Sequence, residues 1–105
     1  NVINVPLTAR ADGAAFREAV SQHWLPAIEA FAPELIMISA GFDAHIEDDM
    51  AELDLSEADY AWVTQRLSEL ARRHAEGRVV STLEGGYALS ALGRSVAVHI
   101  EALLT

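Results

Sequence analysis

Leu35-Ile36-Met37-Ile38-Ser39-Ala40-Gly41-Phe42-Asp43-Ala44-His45, residues 35–45, is the stretch on which the reading of this chain turns. Leu35 to Ile38 form a continuous apolar run, the pattern of a central strand covered on both faces. A turn of small residues follows and ends in an acid and a histidine two positions apart. Gly41 lets the backbone leave the strand in a conformation other residues resist, so Asp43 is expected at the rim of the sheet. A carboxylate there can coordinate a cation, or it can bond the amides of its own loop, as loop aspartates commonly do. In an extended segment Asp43 and His45 face the same way, so the pair alone offers two ligands of a zinc site.

Working outward, the segments alternate. Val2, Ile3 and Val5 form a short β-rich run that Pro6 ends, because proline cannot donate to a ladder. From Asp12 as N-cap, Phe16, Val20, Trp24, Ile28 and Phe31 recur at helical spacing, and Pro26 is expected to kink or split that helix. Residues 40–55 read as loop. Ser56, with Asp59 three residues on, makes a capping-box-like start for a helix with the stripe Tyr60, Val63, Leu67 and Leu70, which Gly77 stops. Val79 to Leu83 reads as a third strand and Glu84-Gly85-Gly86-Tyr87 as a turn. Leu89, Leu92, Val96, Ile100 and Leu103 mark the apolar stripe of a last helix. The order β-α-β-α-β-α predicts an α/β fold with three layers, α/β/α, around a parallel sheet.

Composition narrows the function classes. The 105 residues have room for one modest domain or part of one. A net charge of −9 repels a phosphate backbone or an anionic membrane surface, so neither nucleic acid nor membrane is an expected partner. No cysteine is present, which excludes disulfides and thiolate zinc sites and fits a reducing compartment, so the cytoplasm is expected. No stretch approaches the roughly 20 apolar residues of a membrane span. The strand-like start at Asn1, with no lead-in, suggests a cut chain.

In open parallel sheets, ligands gather beyond the carboxyl ends of the strands. Two of the segments expected there carry capable side chains: Gly41 to His45, and Glu84 to Tyr87. In the second, two glycines allow close backbone approach to a ligand, and the Tyr87 hydroxyl can donate to a developing oxyanion. The simpler alternative is an ordinary glycine turn with a packed tyrosine. His23, His74 and His99 fall on helices and read as packed or half-exposed, which leaves this chain short of metal ligands. Seven of the sixteen acids crowd into residues 47–59. They could attract a cationic substrate, or simply form a solvated loop with Glu57 and Asp59 well placed in a helix's first turn.

Taken together, Asn4-Val5-Pro6-Leu7, Ser39 to His45 followed by Asp48, Leu83 to Tyr87, and Ser95-Val96 resemble the carboxy-terminal part of the histone deacetylase superfamily. The likeness runs the whole length and is nearest to bacterial class II-like deacetylases and acetylpolyamine amidohydrolases, which share an arginase-like α/β fold. The resemblance implies that Asp43 is one of three protein ligands to a catalytic zinc, and that Tyr87 donates to the amide carbonyl of an acetylated amine, a protein lysine or a polyamine. It implies that Gly85 and Gly86, with Phe42, shape the substrate pocket, and that His45 is a neighbour of the metal and not a ligand. The family's general-base histidine pair and its upstream Asp-x-His have no counterpart here, so residues 1–105 are expected to be the carboxy-terminal portion of one domain, inactive alone and weak or lacking in zinc binding. Where relatives commonly have Asp-Pro-Leu this chain has Asp48-Asp49-Met50, which leaves substrate choice open. Surfaces bared by truncation would favour a homo-oligomer. The rival is a small receiver-like signalling module with a phosphoryl-accepting aspartate, but Pro6-Leu7-Thr8 supplies none of the acids its magnesium would need.

Overall fold

A computed structural model describes residues 1–105. Its centre is a parallel pair of strands, β1 (Ile36–Ala40) and β2 (Val79–Leu83), in register from Ile36 opposite Val79 to Ala40 opposite Leu83. The crossover between them is α3 (Glu57–His74), and α4 (Leu89–Leu104) follows β2. Ahead of β1 lie α1 (Gly13–Ala19), a wide π turn over Val20–Trp24, and α2 (Leu25–Phe31). The α/β class and the parallel pairing are as the sequence predicts.

Local chemistry accounts for the helix limits. The Asp12 carboxylate accepts a 3.0 Å hydrogen bond from the Ala15 amide, a side-chain cap at the start of α1. Pro26 has no N–H for the carbonyl of Gln22, and the chain absorbs that loss by widening. The Leu25 amide reaches back five residues to Val20, leaving Pro26 in the first turn of α2. At the head of α3 the Asp59 carboxylate accepts from the Ser56 amide and hydroxyl at 2.9 and 3.0 Å, and from Arg17 at 2.9 Å. Gly77, at φ 75°, ends the same helix with its amide on Ala71 at 3.0 Å.

Three expectations change. Val2 to Val5 form no strand: β-propensity makes a strand only where a partner ladder exists, and this run pairs with nothing. Val2 and Ile3 are exposed, while Val5 and Leu7 line a cavity of about 380 Å³ shared with Phe16, Val20 and Trp24. Second, β1 is covered on one face only. Ile36 and Ala40 are buried against Leu67, Leu70 and Tyr60, but Met37 is 74% exposed and Val80 on β2 is 52% exposed. Of the three expected layers, the sheet and one helical layer are present, and the opposite face is bare. Third, the expected stripe of α4 is inward only in part: Leu92 and Val96 pack half-buried against the core and Leu103 is half-buried, but the fully buried line runs beside them. Ala91, Ser95, His99 and Ala102 are its buried residues, whereas Leu89 and Ile100 are exposed. Small side chains at Ala91, Ser95 and Ala102 let α4 pack closely on the elements beneath it.

The inward face of α4 also carries a polar chain. Thr64 donates its hydroxyl proton to the Tyr60 carbonyl at 2.7 Å, so it can only accept from His99 Nδ1 at 2.8 Å. The other ring nitrogen, Nε2, then accepts from the Ser81 hydroxyl at 2.8 Å. His99 is therefore a neutral, doubly satisfied core histidine that ties α3, α4 and β2 together.

Two outcomes follow for the purified chain. Ser95→Leu should cost about 1–3 kcal/mol by overpacking, while Leu89→Ser changes stability by less than about 0.5 kcal/mol in urea unfolding. If the sequence stripe were the buried one, the ranking would invert. Burial holds the His99 pKa below its ordinary value of 6.5. Below pH ~6.5 the unfolded chain therefore takes up a proton that the folded chain resists, and stability falls on acidification through that range. The slope of stability against pH just below pH ~6.5 should be shallower in His99→Gln.

Candidate active site

Beyond their carboxyl ends, β1 and β2 remain joined for one further step. The Glu84 amide donates to the Ala40 carbonyl at 2.8 Å, and the Phe42 amide donates to the Gly85 carbonyl at 2.8 Å. These bonds carry the strand register into the two loops, so Gly41-Phe42-Asp43 and Glu84-Gly85-Gly86-Tyr87 leave the sheet side by side. Ser39 reinforces the junction by donating to Glu84 at 2.9 Å.

The Asp43 side chain lies directly against Gly85. A Cβ at residue 85 would stand 2.9–3.0 Å from all three carboxylate atoms, so only glycine fits without displacing the acid. Gly41 stands close as well, its Cβ position 3.2 Å from Asp43 Oδ1, and its φ is not in the left-handed region. Its role is to leave room for the carboxylate and not, as the sequence reading has it, to adopt a special backbone angle. The Asp43 carboxylate accepts no hydrogen bond from its own loop. The loop amides that bond side chains are those of Glu47, to His45, and Met50, to Asp48. Its oxygens therefore keep their lone pairs for something else.

Gly86 adopts φ 145°, which favours glycine, and a Cβ there would overlap Leu92 and stand 3.4 Å from Phe42 Cβ. The Phe42 ring is buried in the core, 4.9 Å from the Tyr60 ring and 5.5 Å from that of His99, centroid to centroid. The ring faces the core and the cavity that Val5 and Leu7 line, and its Cβ lies beside the path of Gly86. Tyr87 is 59% exposed at the rim.

His45 is buried with both ring nitrogens occupied. Nδ1 accepts from the Glu47 amide at 3.0 Å, so the proton sits on Nε2, which donates to Glu57 at 3.0 Å. It has no free nitrogen for a metal. Glu57 is also paired with Arg94, which together with His45 holds its carboxyl at about 2. Arg94 further pairs with Glu47 and donates to the Ser90 hydroxyl on its own helix. No three His, Asp or Glu side chains of the chain converge as a metal cluster.

Asp48 is the functional candidate the sequence reading leaves without a role. Buried at 3% exposure, it accepts from Met50 through Oδ1 at 3.0 Å, and from Tyr87 and Ala88 through Oδ2 at 2.8 and 3.0 Å. Those amides, Met50 first, hold its carboxyl below the ordinary aspartate value. The local half has a sequence signal, an aspartate bonding the amide two residues on. The long-range half has only an indirect one: α4 begins after Ala88, which has no side chain able to cap it, so its first amides must find an acceptor elsewhere.

Comparison with known proteins identifies the family. Residues 1–103 match the histone deacetylase domain family. The chain is 42% identical over 103 residues to type-2 histone deacetylase 1 of Dictyostelium discoideum, covering 98% of this chain and 7% of that protein. It is 39% identical over 85 residues to the histone deacetylase-like amidohydrolase of Pseudomonas aeruginosa, covering 81% of this chain and 22% of that protein. The crystal structure of the HDA15 HD domain superposes with a TM-score of 0.84 at 33% identity, over 92% of this chain and 26% of that one. The chain thus spans well under half the length of these relatives. With residues 1–103 matched by that family's model, the chain belongs to the histone deacetylase family.

Proposed function

We propose that residues 1–105 are the carboxy-terminal portion of the catalytic domain of a zinc-dependent deacetylase that hydrolyses the amide of acetyl-lysine or of an acetylated polyamine in the cytoplasm. The observation that supports this most directly is the Asp43 carboxylate, seated on Gly85 beside the Tyr87 loop and left without a hydrogen-bond partner by its own loop. Buried or half-buried carboxylates are normally paired, and an unpaired one at a strand end suits a cation. Zinc, when bound, polarises an amide carbonyl and acidifies water. Asp43 would be one of its ligands. The Tyr87 hydroxyl would donate to the carbonyl oxygen as negative charge builds there. Gly85 and Gly86 let the backbone pass close to the acyl chain, with Phe42 fixing the path of Gly86 from below.

On this reading the general base and the remaining metal ligands come from outside residues 1–105. A catalytic zinc typically has three protein ligands and an open position, and one carboxylate cannot replace them. The isolated chain is inactive and holds zinc weakly or not at all. Its bare sheet face, with Met37 and Val80, favours self-association when nothing covers it. The Asp48-Asp49-Met50 sequence at the pocket mouth bears on the choice between protein and polyamine substrates.

The test uses the full-length protein that carries this chain. Asp43→Ala should lose both bound zinc and amide hydrolysis, whereas Tyr87→Phe should keep the zinc and lose about 10²–10³-fold in kcat. Zinc analysis and turnover of an acetyl-lysine peptide and of an acetylated polyamine distinguish the variants and rank the substrates. Measurable deacetylation by the 105-residue chain alone would contradict the assignment of the missing groups.

A further inference from the structure

We propose that Asp48 is a positioning residue for Tyr87, clamping the tyrosine loop onto the loop of Asp43; the proposal rests on the deacetylase reading and deepens it. Past Gly85 the strand ladder is exhausted, and Gly86 turns the chain at a φ that other residues resist. The next two amides, Tyr87 and Ala88, have no acceptor from their own segment, and Ala88 cannot cap α4. One oxygen of Asp48 receives both, at 2.8 and 3.0 Å, while its other oxygen is locked by the Met50 amide at 3.0 Å. The carboxylate is buried, so these are charge-assisted bonds shielded from water.

The base of the clamp is itself held. The Asp48 amide donates to the His45 carbonyl at 2.9 Å, and His45 is fixed by Glu57, which Arg94 of α4 grips. Asp48 therefore sits in a closed loop of contacts that runs from the Asp43 loop to α4 and returns through Tyr87. The Tyr87 side chain is mostly exposed, and its backbone anchor sets where the phenol starts. Asparagine cannot substitute cleanly. All three partners are donors, and an amide NH₂ would face at least one N–H.

In the zinc-loaded full-length protein, kcat and KM for an acetyl-lysine peptide are compared for Asp48→Asn, Asp48→Glu, Tyr87→Phe and the double variant Asp48→Asn with Tyr87→Phe, alongside amide hydrogen exchange over residues 85–92. Asp48→Asn should lower kcat roughly 10- to 100-fold with little change in KM or zinc content, and should speed exchange at Tyr87 and Ala88. Asp48→Glu should recover part of both, and it carries the same comparison if the asparagine variant fails to fold. The double variant should be no slower than Tyr87→Phe, because once the hydroxyl is gone there is nothing left to position. Unchanged exchange in Asp48→Asn overturns the clamp. Faster exchange with unaltered kcat, or losses that multiply in the double variant, overturns the positioning role. Full activity in Tyr87→Phe overturns the deacetylase role of Tyr87 and this proposal with it, while the exchange data still report whether the clamp exists.

Discussion

The parallel pairing of β1 with β2, carried one step past the strands by Glu84 on Ala40 and Phe42 on Gly85, is the constraint on which the rest depends. The residues joined here are more than forty positions apart in the chain, and only the sheet register brings them together. A slip of one residue would turn every side chain to the opposite face and separate Asp43 from Gly85. The register is held by a one-sided core: Ile36, Ile38 and Val79 pack with Leu67, Leu70 and Ala71 of α3, and Ala40 and Phe42 pack with Tyr60. Each fully buried leucine there contributes on the order of 2–3 kcal/mol.

How far the sequence reaches depends on whether a signal is local. Val79–Leu83 is legible to the residue because β-branched side chains are bounded by a glycine on either side. The Asp12 cap, the Ser56–Asp59 start of α3 and the stop at Gly77 are legible because each is a side-chain or backbone-angle requirement met within a few positions. The break at Pro26 is legible too, though not its form as a π turn. What fails is what depends on a partner. Val2 to Val5 have the right residues for a strand and no ladder to join. The facing of α4 is read only in part: Leu92 and Val96 of its stripe pack on the core, but hydrophobic periodicity weights large side chains and misses the small residues Ala91, Ser95 and Ala102 that are buried most deeply.

The same distinction runs through the candidate site. Asp43, Gly85, Gly86 and Tyr87 stand out because strand ends, glycines and reactive side chains occur together in short motifs. Phe42 belongs to the same motif but faces the core, which motif spacing cannot reveal. Asp48 is one acid among seven in a short acidic stretch, and nothing local separates it from Asp49. Only the uncapped start of α4, forty residues on, marks it as the one that must turn inward.

That acidic stretch also shows how a strongly negative chain can fold compactly around its charges. Glu47 and Glu57 converge on Arg94, Asp59 meets Arg17 and its own cap, Asp54 lies 3.4 Å from Arg10, and the Asp48 anion is stabilised by three amides. Most of the acids that read as a field for attracting a cation are thus already engaged, and they brace the loop between β1 and α3. Asp43 is the contrast: close to glycine on two sides, it has room around it and no bonding partner from its loop. Asp49 and Glu52 are also without a side-chain partner, but they lie exposed on the loop, whereas Asp43 sits half-buried at the strand end against Gly85.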